Sequence, residues 1–152
     1  MNNINELNII KKLSNCKKRQ VATVICPIPG KQYISDIGVV EIAPIIIRGV
    51  NTIPTEHMYV CDLCTKDVCL AEHSEVDAIN QLVSLYSISP IYNNDMIRAK
   101  FEMFVSHTPC LNCIKHIIKC NLIETCYYFG DEASIEIKKL TELTNLKLIR
   151  ME

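Results

Sequence analysis

Two short clusters, His73-Ser74-Glu75 and Pro109-Cys110-Leu111-Asn112-Cys113, concentrate the residue types best suited to chemistry in this chain. One imidazole and two thiolates are borderline-soft donors suited to zinc, and three protein ligands leave the fourth tetrahedral position for a water. That donor count is the design of a reactive centre rather than a closed structural one. Glu75 stands two residues after the histidine, a step that points it in a different direction on a helix. It is thereby suited to carrying protons rather than to ligating. Cys110 and Cys113 stand three apart at the first turn of a predicted helix, so they share a face, and the positive end of the helix favours their thiolate forms. Taken alone, P-C-x-x-C also fits a structural zinc half-site or a redox pair, and H-x-E arises by chance. In this order, each at a predicted helix start, the two are far more specific, and a structural site would have no use for Glu75.

The elements that must position these residues follow from periodicity. Ile4, Leu7, Ile10 and Leu13 recur at three-residue steps and predict a first helix with one apolar stripe. QVATVIC reads as a short strand, and VVEIAPIIIRG as a second apolar, β-rich run, joined to it by a hairpin or a longer excursion punctuated by Pro27, Pro29 and Gly30. Pro44 removes a backbone donor, which bends the second run or places it at a sheet edge. Asn51 to Cys69 lacks sustained periodicity and reads as a loop. From Ser74, the spacing of Val76, Ile79, Val83 and Tyr86 predicts a helix ending before Pro90. KFEMFVSHT reads as a strand, and PCLNCIKHIIKC as a helix opened by Pro109 with Ile114, Ile117 and Ile118 inward. ETCYYF, ASIEIKKLTELT and LKLIR complete a strand, a helix and a strand. Alternating elements without repeat or linker predict one domain over residues 1–152, an α/β fold in three α/β/α layers around a mixed sheet of about five strands.

Composition excludes several classes. With 152 residues and 49% hydrophobic content the chain can bury a sizeable core. Its formal charge of −1, from 16 basic and 17 acidic residues, gives no global attraction to nucleic acid or anionic membrane. No run approaches the roughly 20 apolar residues that span a bilayer, and the N-terminal stretch lacks a signal-peptide core. A soluble cytoplasmic protein is expected. Nine cysteines, an odd count, read in a reducing compartment as metal ligands and buried thiols.

H-x-E followed by P-C-x-x-C is the signature of zinc-dependent nucleobase deaminases. Over most of its length the chain further resembles the deoxycytidylate deaminase family, through SNCKKRQVATVI, RGVNTIP, CLAEHSEVDAI and TPCLNCIKHIIKCNLIETCYYF. The resemblance implies the cytidine deaminase type of sandwich and hydrolysis of dCMP to dUMP and ammonia, with His73, Cys110 and Cys113 on a catalytic zinc and Glu75 catalytic. It implies that Asn51 bonds the substrate near its sugar and base, and that Arg19 approaches the phosphate. It also implies a homo-oligomer, often a hexamer, regulated by deoxynucleoside triphosphates such as a magnesium-bound dCTP effector. Read without the resemblance, Asn51 is equally a turn residue tolerating left-handed geometry. Arg19 is equally part of a solvated basic run with Lys17 and Lys18. The chain departs from the family at Ala22, Thr52 and Asp77, and its span from Pro27 to Val40 is long. Two alternatives stay open: a deaminase of another cytosine or adenine substrate, including RNA or single-stranded DNA, and a catalytically silent zinc-binding regulatory subunit.

His57, Cys61, Cys64 and Cys69 form a second donor set of the right number and softness for a structural zinc, as several members of the family carry in this region. Reduced thiols packed in the core are the competing reading, and Cys16 or His107 can substitute for His57. Cys26, Cys120 and Cys126 read as small buried hydrophobes. His107 falls at a strand end near the candidate site, His116 faces solvent, and Tyr127 and Tyr128 either border a pocket or pack within their strand.

Overall fold

In the computed structural model, residues 3–28, 33–35, 38–40, 46–58, 70–88 and 101–152 are described. Helix α1 covers Asn3–Ile10 and ends in a 3-10 turn, Lys11–Leu13. Strand β1 is Ala22–Pro27, β2 Tyr33–Ser35, β3 Gly38–Val40 and β4 Ile47–Val50. There follow α2 (Ser74–Ile88), β5 (Phe101–Val105), α3 (Leu111–Cys120), β6 (Ile123–Tyr128), α4 (Ile135–Glu142) and β7 (Lys147–Arg150).

Five strands form one mixed sheet in the order β4-β1-β5-β6-β7, while β2 and β3 pair separately in the long excursion between β1 and β4. β4, β1 and β5 are antiparallel, and β5, β6 and β7 run parallel through the crossover helices α3 and α4. β4 lies at an edge of the sheet, one of the two outcomes expected for its run; Pro44 itself is outside the described residues.

Period-2 alternation divides the strands between two apolar layers. Ile25, Met103, Val105, Cys126 and Tyr128 pack with Ala78, Ile79 and Leu82 of α2, Ile114 and Ile117 of α3 and Ile137 of α4. Ala22, Val24 and Phe104 pack with Leu7 and Ile10 of α1 on the other side. Tyr127 joins this second layer, stacked on Phe104 with ring centroids 4.7 Å apart. The result is the three-layer α/β/α sandwich.

Two apolar stripes differ from the sequence expectation. Leu13 is 72% exposed, because the 3-10 turn breaks the periodicity of α1 after Ile10. On α2 the buried face is Glu75, Ala78, Ile79 and Leu82, while Val83 is exposed. The helix is rotated from its most hydrophobic setting, and the rotation brings a carboxylate onto the stripe that meets the sheet. Pro109 does not open α3 either. Cys110 is its N-cap, with Sγ accepting from the Cys113 amide at 3.3 Å, so the proline lies one residue outside. A thiolate at that position satisfies an amide that the helix itself leaves unpaired.

Helix α2 reaches the sheet edge through Gly49. A Cβ there would lie 2.2 Å from the Ser74 carbonyl oxygen and 2.8 Å from the Ala78 Cβ. Asp77 completes the joint, its Oδ2 accepting from the Val50 amide of β4 at 3.1 Å. Gly49→Ala is therefore expected to cost about 1–3 kcal/mol through overpacking and to shift the turn that carries His73 and Glu75. Urea denaturation followed by circular dichroism checks it, and an unchanged midpoint would show that α2 has room to move.

Candidate metal centre and active site

The topology places the chemistry at one end of the sheet. β5 and β6 end there at Val105 and Tyr128, the antiparallel β1 begins there, and β4 ends there at Val50. Open sheets bind ligands in the crevice outside the carboxyl ends of their parallel strands. A cavity of about 580 Å³ occupies this end, its wall including Arg19, Asn51, His73, Glu75, His107 and Cys110.

His73 precedes α2, and Cys110 and Cys113 stand at the start of α3. The Cys113 Sγ lies 3.2 Å from His73 Nδ1 and 3.2 Å from the Cys110 Sγ, and the Cys110 Sγ lies 3.6 Å from the same Nδ1. Zn–S bonds of about 2.3 Å and Zn–N bonds of about 2.0–2.1 Å at tetrahedral angles require about 3.6–3.8 Å between donors. The observed spacing approaches this, so the three residues are able to hold a metal ion. Among the described residues, they are also the group of three or more candidate ligands that converges within 4.8 Å.

Electrostatics divides the two thiols. Hydrogen bonding from Cys113, reinforced by His73 and the helix amide, holds the Cys110 thiol down to about 4. Cys113 is pushed up by its bond to Cys110 and by burial, so one proton is shared between the pair. The Cys110 thiolate in turn raises the His73 imidazole, even though Nδ1 lies nearer Cys113. A cation at the centre of the three donors would replace that shared proton.

Glu75 is 4% exposed, and burial raises its carboxyl above the usual carboxylate range. Its Oε2 accepts from the Ser74 hydroxyl at 3.2 Å, and Ser74 shares a 2.8 Å bond with Thr23 on β1. Sheet, serine and glutamate thus form a chain that fixes a carboxylate beside the His/Cys/Cys group on a cavity wall. Ser74 lies inside the H-x-E motif, yet its tie to Thr23 spans 51 residues and leaves no local signal.

Asn51 lines the cavity, but its side chain largely serves the chain itself. Oδ1 accepts from Ser14 Oγ and from the Val21 amide, both at 2.7 Å, and Nδ2 donates to the Arg19 carbonyl at 2.6 Å. Among the described residues Asn51 is not in the left-handed region, which Asn121 alone of the non-glycines adopts, so the turn reading is overturned. The residue clamps the segment bearing Lys18 and Arg19 against the cavity. Arg19 is exposed on the cavity wall, and His107, half-buried, lines it too, its Nδ1 3.0 Å from Ser106 Oγ.

On the far wall Gly130, at φ 111°, turns the chain after β6 so that Asp131 reaches the cavity and its carbonyl accepts from Thr108 Oγ1 at 2.6 Å. Sequence reading missed Asp131, which belongs to no motif. The two tyrosines pack within the fold: Tyr127 stacks on Phe104, and the Tyr128 hydroxyl accepts from the Ala133 amide at 3.2 Å. His116 is exposed. Burial keeps Cys26, pushed up to about 11, and Cys126 in their thiol forms.

His57 sits in a 3-10 turn over residues 55–58, whereas Cys61, Cys64 and Cys69 lie outside the described residues. Cys16 is buried against Ile53 and Ala71.

Fold and cluster together define the class: an α/β sandwich of the cytidine deaminase type with a His/Cys/Cys group able to bind a metal. No family model and no curated protein matches the chain. Among solved structures it is similar to the dCMP deaminase of the cyanophage S-TIM5 in apo form, with a TM-score of 0.59 and 18% identity over 97% of this chain and 93% of that one. The same enzyme in complex with dCMP and dUMP gives 0.58 and 17% over 99% and 98%. A guanine deaminase from Nitrosomonas europaea gives 0.51 and 11%, covering 96% of this chain and 71% of that one. Among the described residues no helix is long and apolar enough to cross a membrane.

Proposed function

We propose that the protein is a zinc-dependent deaminase of a pyrimidine deoxynucleotide, converting dCMP and water to dUMP and ammonia. The observation that carries this reading is the placement of Glu75, buried and with its carboxyl held above the usual range, on the same wall as the convergent His73, Cys110 and Cys113. A zinc ion held by those three residues would lower the pKa of a coordinated water toward about 7 and supply the nucleophile for carbon 4 of the base. Glu75 then takes a proton from the attacking water, passes it to ring nitrogen 3 and delivers a proton to the departing ammonia. The Ser74 hydroxyl, bonded to Oε2, would orient the carboxylate for these transfers. The remaining N–H of the Asn51 amide is available to the sugar or base, and Arg19 to the 5′-phosphate.

A dCMP deaminase among the similar structures, covered over nearly its whole length, supports dCMP over guanine. His57, Cys61, Cys64 and Cys69 are the proposed ligands of a second zinc. Ammonia release measured on dCMP, deoxycytidine, CMP and guanine, with metal content determined on the same protein, tests the reading. The expected result is turnover of dCMP with one ammonia per dUMP and about two zinc ions per chain, one for each tetrahedral set. Turnover of guanine alone would overturn the substrate, and a single zinc would overturn the second site.

A further inference from the structure

The candidate cavity does not end at Arg19. A second cavity of about 560 Å³ adjoins it, and Cys16, Lys18, Arg19 and His107 line both. Lys11 and Lys17 line the outer cavity, which brings four cationic side chains around one space without a lining carboxylate among the described residues. In that same set, no carboxylate pairs with Lys11, Lys18 or Arg19. The His107 imidazole is held below its ordinary value, first by burial and then by Arg19 and Lys11, which places those two cations toward the same shared wall. The backbone beneath is fixed, because Asn51 bonds the Arg19 carbonyl and the Val21 amide.

Charge sets the size of the ligand. One terminal phosphate carries about −2, which Lys18 and Arg19 on the shared wall already match. Lys11 and Lys17 are surplus to a monophosphate. We propose that the outer cavity is a subsite for phosphates beyond the first, so that the protein also deaminates cytosine deoxynucleoside 5′-di- and triphosphates. The reaction at the base is unchanged, with water entering, ammonia leaving and every phosphate bond intact. The inference rests on the nucleotide deaminase reading above. A single-stranded nucleic acid fits less well. It calls for aromatic stacking platforms along a basic groove, and neither cavity is lined by a Phe, Tyr or Trp among the described residues.

The test compares kcat/KM for dCTP and dCMP in the wild type and in a Lys11→Ala/Lys17→Ala double variant, with equilibrium dialysis of both nucleotides alongside. The wild type is expected to turn over dCTP, and the dCTP-to-dCMP ratio to fall about tenfold in the double variant and to recover in Lys11→Arg/Lys17→Arg. A ratio that does not fall overturns the subsite. So does simultaneous binding of dCTP and dCMP, which would place dCTP at a separate effector site, or a cytosine-bearing single-stranded oligonucleotide that outcompetes dCTP. If no nucleotide is deaminated, the parent reading and the proposed deamination of di- and triphosphates both fail, and dialysis alone judges the phosphate subsite. Tighter retention of dCTP than dCMP, lost in the double variant, then supports it, and equal retention overturns it.

Discussion

Replacing Glu75 with glutamine is expected to lower ammonia release by about 10²–10⁴-fold, the usual contribution of a positioned proton carrier, while the zinc content stays at the wild-type value. Glutamine preserves the shape of the side chain and its bond from the Ser74 hydroxyl, but it cannot take up and release a proton. The residue is buried at the first turn of α2, on the face that meets the sheet, so an exposed water cannot take over its role. The variant should fold, because the exchange removes a carboxylate that burial already disfavours in its charged form. Steady-state ammonia release, metal analysis and a thermal melt on the same preparation check the three statements. Retained turnover would remove Glu75 from the mechanism, whereas loss of zinc would make it a ligand.

Cys113→Ala is expected to abolish both metal binding at this centre and turnover. Its thiol is 1% exposed and lies 3.2 Å from each of the other two donors, so the pair left behind would hold an ion weakly. A metal present at a thousand times its dissociation constant stabilises the folded state by about 4 kcal/mol. The variant should therefore melt well below the zinc-loaded wild type. Cys120→Ser on the same helix provides the comparison. Its thiol donates to the Ile117 carbonyl at 3.1 Å, away from the donor group, so its metal content should match the wild type. Zinc retained at this centre in Cys113→Ala would overturn the ligand assignment.

Much of this centre was legible before the fold. Cys110 and Cys113 are spaced by one helical turn, and His73 and Glu75 open another helix, so residue type and short-range geometry singled out a donor set able to hold a metal and the carboxylate proposed as proton carrier. Although the run VVEIAPIIIRG, read as one strand, contributes to both β3 and β4, which lie in different sheets, most of the strands and helices around them announced themselves by periodicity. The buried face of α2 did not. Apolar spacing favoured Val76, Ile79 and Val83, while the folded helix turns Glu75 inward, because the close approach of Gly49 and the bond from the Val50 amide to the helix's own Asp77 fix its rotation. Periodicity measures only the hydrophobic preference of one element, and this helix is set by its fit to a strand more than twenty residues earlier.

Sequence alone determined the chemistry of the ligands and the class of fold, since both depend on residue type and local spacing. The tertiary structure decided what surrounds them. It made Asn51 a clamp rather than a left-handed turn, brought Asp131 to the far wall, and tied Ser74 to Thr23. It also gathered Lys11, Lys17, Lys18 and Arg19 around a cavity where the sequence shows only a solvated basic run. The ties of Asn51, Ser74 and Asp131 join residues distant along the chain, and they exist only once the sheet order has brought the ends of β1, β4, β5 and β6 to one side.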